Sequence, residues 1–363
     1  MFNGDTPASN FIGGFKESVG SAHRPCRKCL IVSDQLTQIQ FAEESEERSL
    51  ASHNDQLSLI NRPGIDKTLK QHFSKLYGIN RTSVLAEVPF FDVTTCLPQD
   101  AMHVILEGTL NLGTKLMLND VMKRGLLSIE KINDFITGFP YPKDRDKPSL
   151  IEQSHITSAS QKLRQSSAQM LSLGFSLPFL MSDVAGLNED DKHLACFLLL
   201  LKICSIGFTF EVSVSDSERL RYLIGRHHEQ FRALYPDNIV RKHHFMPHFP
   251  RQMLMFGPLR YSWCMRFEGL NCLEKGHVLC GKNFKNVAKT IAMRHQEWMC
   301  LQLAKTGDKS HYLYAGDQVK DCGYLPIGPN ILEQLGVAFP EDNIDPSNLA
   351  LVRKLIIHGR TYE

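Results

Sequence analysis

The stretch Asp100–Gly125, DAMHVILEGTLNLGTKLMLNDVMKRG, sets the architecture. Apolar residues recur at Met102, Ile105, Leu106, Leu110, Leu112, Leu116 and Met117, the spacing of a long amphipathic helix. Working outward, Ser128 reads as the N-cap of IEKINDFITGF, with Glu130 in its first turn. Residues 161–182, 189–207 and 216–234 carry three more helical patterns, separated by Pro, Gly, Asn and Asp. SWCMRFEGLNCLEK and NFKNVAKTIAMRHQEWMCLQLAK add two further on. Upstream, Leu69–Ile79 places Leu69, Phe73, Leu76 and Tyr77 on one helical face, and Gly78 is its expected end. The middle of the chain is therefore predicted to be helical.

Strand character is expected at the two ends. The first ~35 residues are Gly- and Ser-rich and read as a strand end followed by a loop. PFFDVTTC, Pro89–Cys96, is a candidate short strand or extended segment. The polar, acidic stretch Ser33–Asn61 has weak helical character and reads either as a short helix or as a solvated, mobile insertion. Beyond residue 306, HYLYAGDQV and NLALVRKLIIHGRTYE are strand-like runs separated by turn residues, and IIHGRTYE reads as a hairpin whose second half is missing. The fold class expected is α+β, mainly α.

Composition narrows the function classes. The 363 residues are 42% hydrophobic, 22% charged and 9% aromatic, which supports a buried core and excludes a largely disordered chain. A net charge of +2 argues against binding to nucleic acid or membrane by bulk charge, although a local basic groove is compatible with it. RYLIGRHHEQFR and VRKHH are such local basic clusters. The apolar run Leu194–Leu201 meets Lys202, far short of the ~20 residues of a membrane span, so it is expected to be a core helix. No secretory signal is visible at the start, and ten scattered cysteines fit reduced thiols with one candidate metal site.

Four groups of residues could carry chemistry. Cys26 and Cys29 form a C-x-x-C that can supply two of four ligands to a tetrahedral Zn²⁺, or be simple reduced thiols. His53 is the expected third ligand, with His23 and Asp55 as weaker fourth candidates. Asp100 and His103 form D-x-x-H at the head of the long helix, where the acid either caps the helix or braces a site with the histidine. Glu268, within WCMRFEGLN, either caps, pairs with Arg260 or Arg266, or projects into a site. His243, His244 and His248 in HHFMPHFP read as packing or hydrogen-bonding histidines rather than a metal cluster.

Four segments occur in one order: GDTPASNFIGGFKESVGSAHRPCRKC, FDVTTCLPQDAMHVILEG, KHHFMPHFP with FGPLRYSWCMRFEG, and NFKNVAKTIAMRHQ. Together they resemble the C-terminal half of transposases from CACTA-type (EnSpm-like) DNA transposons, in the animal and fungal branch. The resemblance covers Gly4 to about Gln296. It implies a partial RNase H-like (DDE) core interrupted by a large helical insertion, followed by the start of a small β module. It also implies DNA as partner and a nuclear location, and leaves a homo-oligomer open.

In such cores carboxylates hold two divalent ions, Mg²⁺ or Mn²⁺, for in-line attack on phosphodiesters. Asp5 matches the second catalytic aspartate at a strand end, Glu268 the third acidic residue, and Asp100 with His103 the D-x-x-H signature between them. Cys26, Cys29 and His53 fall in the family's Cys-containing insertion. The expected organisation is a core remnant with the C-x-x-C loop over 1–35, a polar Cys/His insertion over 36–88 and a helical insertion domain over 89–255. Core helices carrying the third acid follow over 256–305, and an incomplete β module over 306–363.

The chain departs from the pattern in three places, one of them Glu274, which stands where an aromatic is expected. The first catalytic aspartate is expected upstream of Asp5, and Leu270 and Asn271 stand where Lys-His usually follows the glutamate. The expectation is a transposase-derived protein that neither cuts nor joins DNA. The alternative is a domesticated module that binds DNA or protein without catalysis.

Overall fold

A computed structural model describes residues 1–36, 38, 45–143, 145–158, 160, 162–188, 190–281 and 285–304, together with four short strands beyond them. The described chain is mainly helical. It divides into two units, Met1–Glu268 and Gly269–Glu363.

The first unit begins with α1 (Thr6–Gly13), α2 (Leu50–Ile60) and α3 (Lys67–Tyr77). Asp5 is the N-cap of α1: its carboxylate accepts the Ala8 amide at 2.7 Å, and Pro7 presets the first turn. The predicted strand end around Asp5 is therefore a helix start. Gly14 and Gly78 close α1 and α3 in the left-handed conformation, at φ 75° and 72°. A Cβ at Gly14 would lie 2.0 Å from the Arg81 carbonyl oxygen, so only glycine fits. Of the two readings of Ser33–Asn61, the helical one is met over Leu50–Ile60. α2 buries His53 and Ile60 beneath a Ser49 capping box. Pro89–Cys96 is a chain of turns rather than a strand, pinned by Asp92, which accepts from the amide and hydroxyl of Thr94. Among the described residues of this unit the β-structure consists of two single bridges, Phe15 to Ile79 and Cys29 to Glu47. An RNase H-like sheet is not seen among them.

The helical body follows: α4 (Leu110–Lys123), α5 (Ile129–Gly138), α6 (Gln153–Thr157), α7 (Ser167–Ser182), α8 (Lys192–Gly207) and α9 (Val214–Leu234). α10 (Arg241–Phe245) and α11 (Phe249–Phe256) come next, and then the first turn of α12 (Met265–Gly281). α4 buries residues all round, from Leu110 and Leu112 to Met117, Leu118 and Val121, because the preceding π-helical segment, α6, α7 and α8 pack around it. Lys115, buried in that wall, extends its ammonium to the Ser158 carbonyl at 2.7 Å and to the Ser160 carbonyl, which satisfies its charge. The run Leu194–Leu201 lies inside α8, where Leu200 and Ile203 are fully buried, as a core helix requires. No described helix is long and apolar enough to cross a membrane.

The second unit holds the remainder of α12 and α13 (Val287–Ala304), joined by a 3.0 Å contact between Glu274 and His295. Its strands form two antiparallel pairs, β1 (Tyr324–Leu325) with β2 (Leu351–Val352) and β3 (Leu355–Ile357) with β4 (Arg360–Tyr362). The expected half-hairpin thus has its second strand within IIHGRTYE itself, in the register Ile357 opposite Arg360. HYLYAGDQV lies outside the described residues.

Candidate functional site

Between Ala101 and α4 the backbone widens into a π-helix over Met102–Thr109. π-turns are usually single and concentrate at functional positions, so a stretch of eight residues singles out this segment. It places His103 and Glu107 on one face. Asp100, 1% exposed, anchors its start: one carboxylate oxygen accepts the Met102 amide at 3.1 Å, and the other accepts the His103 amide at 3.3 Å. The same carboxylate accepts the Cys264 amide at 3.0 Å, which fixes the first turn of α12 against the head of the π-helix.

This arrangement brings the sequence-predicted acids together. His103 Nδ1 bonds to Asp100 Oδ2 in a short contact, and its Nε2 lies 3.1 Å from Glu268 Oε1. Burial alone would lower the His103 pKa, but Asp100, Glu107 and Glu268 outweigh it and hold the imidazolium above its ordinary range. Glu268 is shifted upward, first by burial and then by Glu107, Asp100 and Asp5, against the pull of His103. Asp5 therefore lies within electrostatic reach of Glu268. Oxygen and nitrogen atoms of His103, Glu107 and Glu268 fall within 4.8 Å of one another. Asp100 thus caps and braces at once, and Glu268 projects into the cluster; its salt bridge goes to His103, not to Arg260 or Arg266.

A second cluster sits nearby in the fold. Cys26 Sγ lies 3.4 Å from His248 Nε2, Cys29 Sγ lies 3.3 Å from His244 Nε2, and the two imidazole nitrogens are 3.3 Å apart. A tetrahedral zinc ion with Zn–S of about 2.3 Å and Zn–N of about 2.0 Å has S···N edges of about 3.5 Å and an N···N edge of about 3.3 Å. The four side chains are all buried, their ligand atoms lie within 4.8 Å of one another, and the three distances above match edges of that tetrahedron. Burial opposes ionisation of Cys26, but hydrogen bonding from Cys29 and the charges of His248 and His244 bring its thiol well below the usual range. Cys29 moves upward, because its thiol hydrogen-bonds to the Cys26 sulfur, because it is buried, and because a second charge would stand beside Cys26. Two thiolates and two neutral imidazoles form a donor set that suits zinc or a similar structural ion.

His53 is not part of this group. Its ring packs edge-on against Phe15, at 5.2 Å between centroids, and burial pushes its pKa down to about 4. The histidines read from the sequence as packing residues, His244 and His248, occupy the ligand positions instead. Their i, i+4 spacing was the available signal, because α10, a short 3₁₀ turn at Met246–His248 and α11 run on as one nearly continuous helical stretch. His243 does pack, against the Phe231 ring at 4.4 Å.

Neighbours of the Cys₂His₂ side chains hold the segment that leads to Asp100. Arg27, between the two cysteines, donates to the Leu97 carbonyl at 3.0 Å and to the Pro98 carbonyl. Burial lowers its pKa to about 10, while Cys26, Asp100, Cys264 and Asp5 keep it charged. Gln252, four residues after His248, accepts the Gln99 amide at 2.8 Å and donates back to the Gln99 carbonyl at 2.9 Å. The Cys₂His₂ group is therefore the scaffold on which the acid cluster is mounted. No protein-family model and no curated protein matches the chain.

Proposed function

We propose that the chain derives from a DDE-type DNA strand transferase and that, as folded, it binds DNA beside an acid cluster that takes a divalent cation without turning substrate over. What supports the reading is the convergence of Asp100 and Glu268 on His103, with Asp5 adding its field to the same group. Those are the residues that the resemblance to CACTA-type transposases assigns to the ancestral site. The Cys₂His₂ group would supply the structural zinc.

The same geometry argues against turnover. Strand transfer by two metal ions needs several free carboxylate oxygens, held for near-octahedral Mg²⁺ or Mn²⁺. Both Asp100 oxygens are committed to backbone amides, and one Glu268 oxygen is paired with His103. The carboxylate atoms that stay open among the described residues suit one weakly held cation.

The test combines a labelled duplex with supercoiled plasmid in Mn²⁺. The duplex should be retained at low salt, and the plasmid should stay unnicked beyond a protein-free control. Absence of DNA binding at about 50 mM salt overturns the reading, and metal-dependent nicking overturns its inactive part.

A further inference from the structure

The basic cluster VRKHH contributes two cations that neither the acid cluster nor the metal group uses. Arg241 and Lys242 line a cavity of about 450 Å³, walled also by Glu107, Gly108, Lys162 and Val240. Three cations face it against a single acid, Glu107, which is neutralised by Lys162 at 3.3 Å.

The cavity is built rather than incidental. Lys242 crosses directly over Gly108, where a Cβ would stand 2.3 Å from its Cδ, and its ammonium is fixed on the Glu107 carbonyl at 3.1 Å. Any larger residue at position 108 would push the lysine out of place. The Arg241 guanidinium lies over Gly20, within 3.0 Å of where its Cβ would stand, so both cations are aimed by glycines. Glu107 separates this cavity from His103, one turn earlier on the π-helix, so the cations border the acid cluster on one side.

We propose that Lys162, Arg241 and Lys242 form a phosphate seat that holds the backbone of a DNA strand as it passes the acid cluster. The proposal rests on the DNA-binding reading and deepens it, naming the contact that positions the strand. An arginine and two lysines around one concave site match a phosphodiester by charge and by donor geometry. Such contacts fix register without reading sequence.

The test measures anisotropy of a fluorescent duplex against salt for the intact protein and for two variants, Arg241→Gln and the combined Lys162→Gln, Arg241→Gln, Lys242→Met. Each neutralised phosphate contributes about 0.9 to the slope of log K against log salt. The combined variant should bind at least ~10-fold more weakly at low salt, with the slope reduced by about 2, and Arg241→Gln alone by about 1. Arg241 is exposed, so its single variant keeps the test readable should the combined change perturb folding. If the intact protein binds DNA and both variants keep its slope, the phosphate seat is wrong while the broader reading stands. If the intact protein does not bind, both fall.

Discussion

His103 Nε2 lies 3.1 Å from Glu268 Oε1, while the opposite ring nitrogen bonds to Asp100. One imidazolium thus holds together acids from the head of a π-helix and from the first turn of α12. The neighbouring acids Asp100, Glu107 and Glu268 in turn raise the pKa of His103.

Removing that imidazolium should destabilise the fold in a pH-dependent way. The folded pKa of His103 is raised, so its contribution is fully present below the unfolded value of about 6.5 and is lost as pH climbs through the folded value. His103→Asn should therefore cost about 1–2 kcal/mol near pH 6, discounted for the half-exposed Glu268, and progressively less in alkaline buffer. Urea midpoints of the two proteins at pH 6 and pH 9 report it. A constant gap across that range would show that His103 fills space and carries no charge.

The purified protein should contain about one zinc per chain, because four buried ligands already stand at tetrahedral spacing. Cys26→Ser or His248→Ala should lose the metal and most of the cooperative thermal transition, since structural zinc contributes on the order of 10 kcal/mol. His53→Ala should keep it. Elemental analysis of the three variants checks the assignment, and a metal-free intact protein would remove it.

Acid should weaken the fold through its buried neutral histidines. Burial pushes His227 down to about 3 and His53 to about 4, whereas the unfolded chain takes up those protons near pH 6.5. Stability should therefore be complete above about pH 6.5 and fall below it, by about 1.4 kcal/mol for each group at pH 5.5. His227→Phe should flatten that slope in a urea series run between pH 7.5 and 5.5. An unchanged slope would place the acid sensitivity elsewhere.

Gly14→Ala should cost more than about 1 kcal/mol, because φ of 75° and a carbonyl oxygen 2.0 Å from the new Cβ both oppose it. Gly64, at φ 72° with open space around it, should be milder. A thermal melt of each orders them. Equal losses would mean that the Arg81 carbonyl gives way.

The helices were readable because their cause is local. Met102, Ile105 and Leu106 are buried in a helix as their recurrence predicts, although the backbone there is wound as a π-helix, and Ser128 starts and Gly78 ends a helix where capping chemistry requires. The π-widening was not readable, and neither was the long-range hydrogen bond from the Cys264 amide that holds Asp100 at its head. The cysteine pair was visible as half a metal site, but its partners were not, because nothing local joins Cys26 to His248 across more than half the sequence. His53 was chosen by proximity in sequence, and packing against Phe15 decided otherwise. Asp5 was read at a strand end, yet the Thr-Pro that follows makes it a helix cap.

Manganese affinity, followed by the loss of the free-ion paramagnetic signal on titration, addresses the acid cluster itself. The intact protein should bind about one Mn²⁺, more tightly at pH 8 than at pH 6 because the ion competes with the His103 proton. Glu268→Gln and Asp5→Asn should each weaken it by at least ~10-fold while leaving the zinc in place. Equal affinity in all three proteins would contradict a shared site for Asp5 and Glu268.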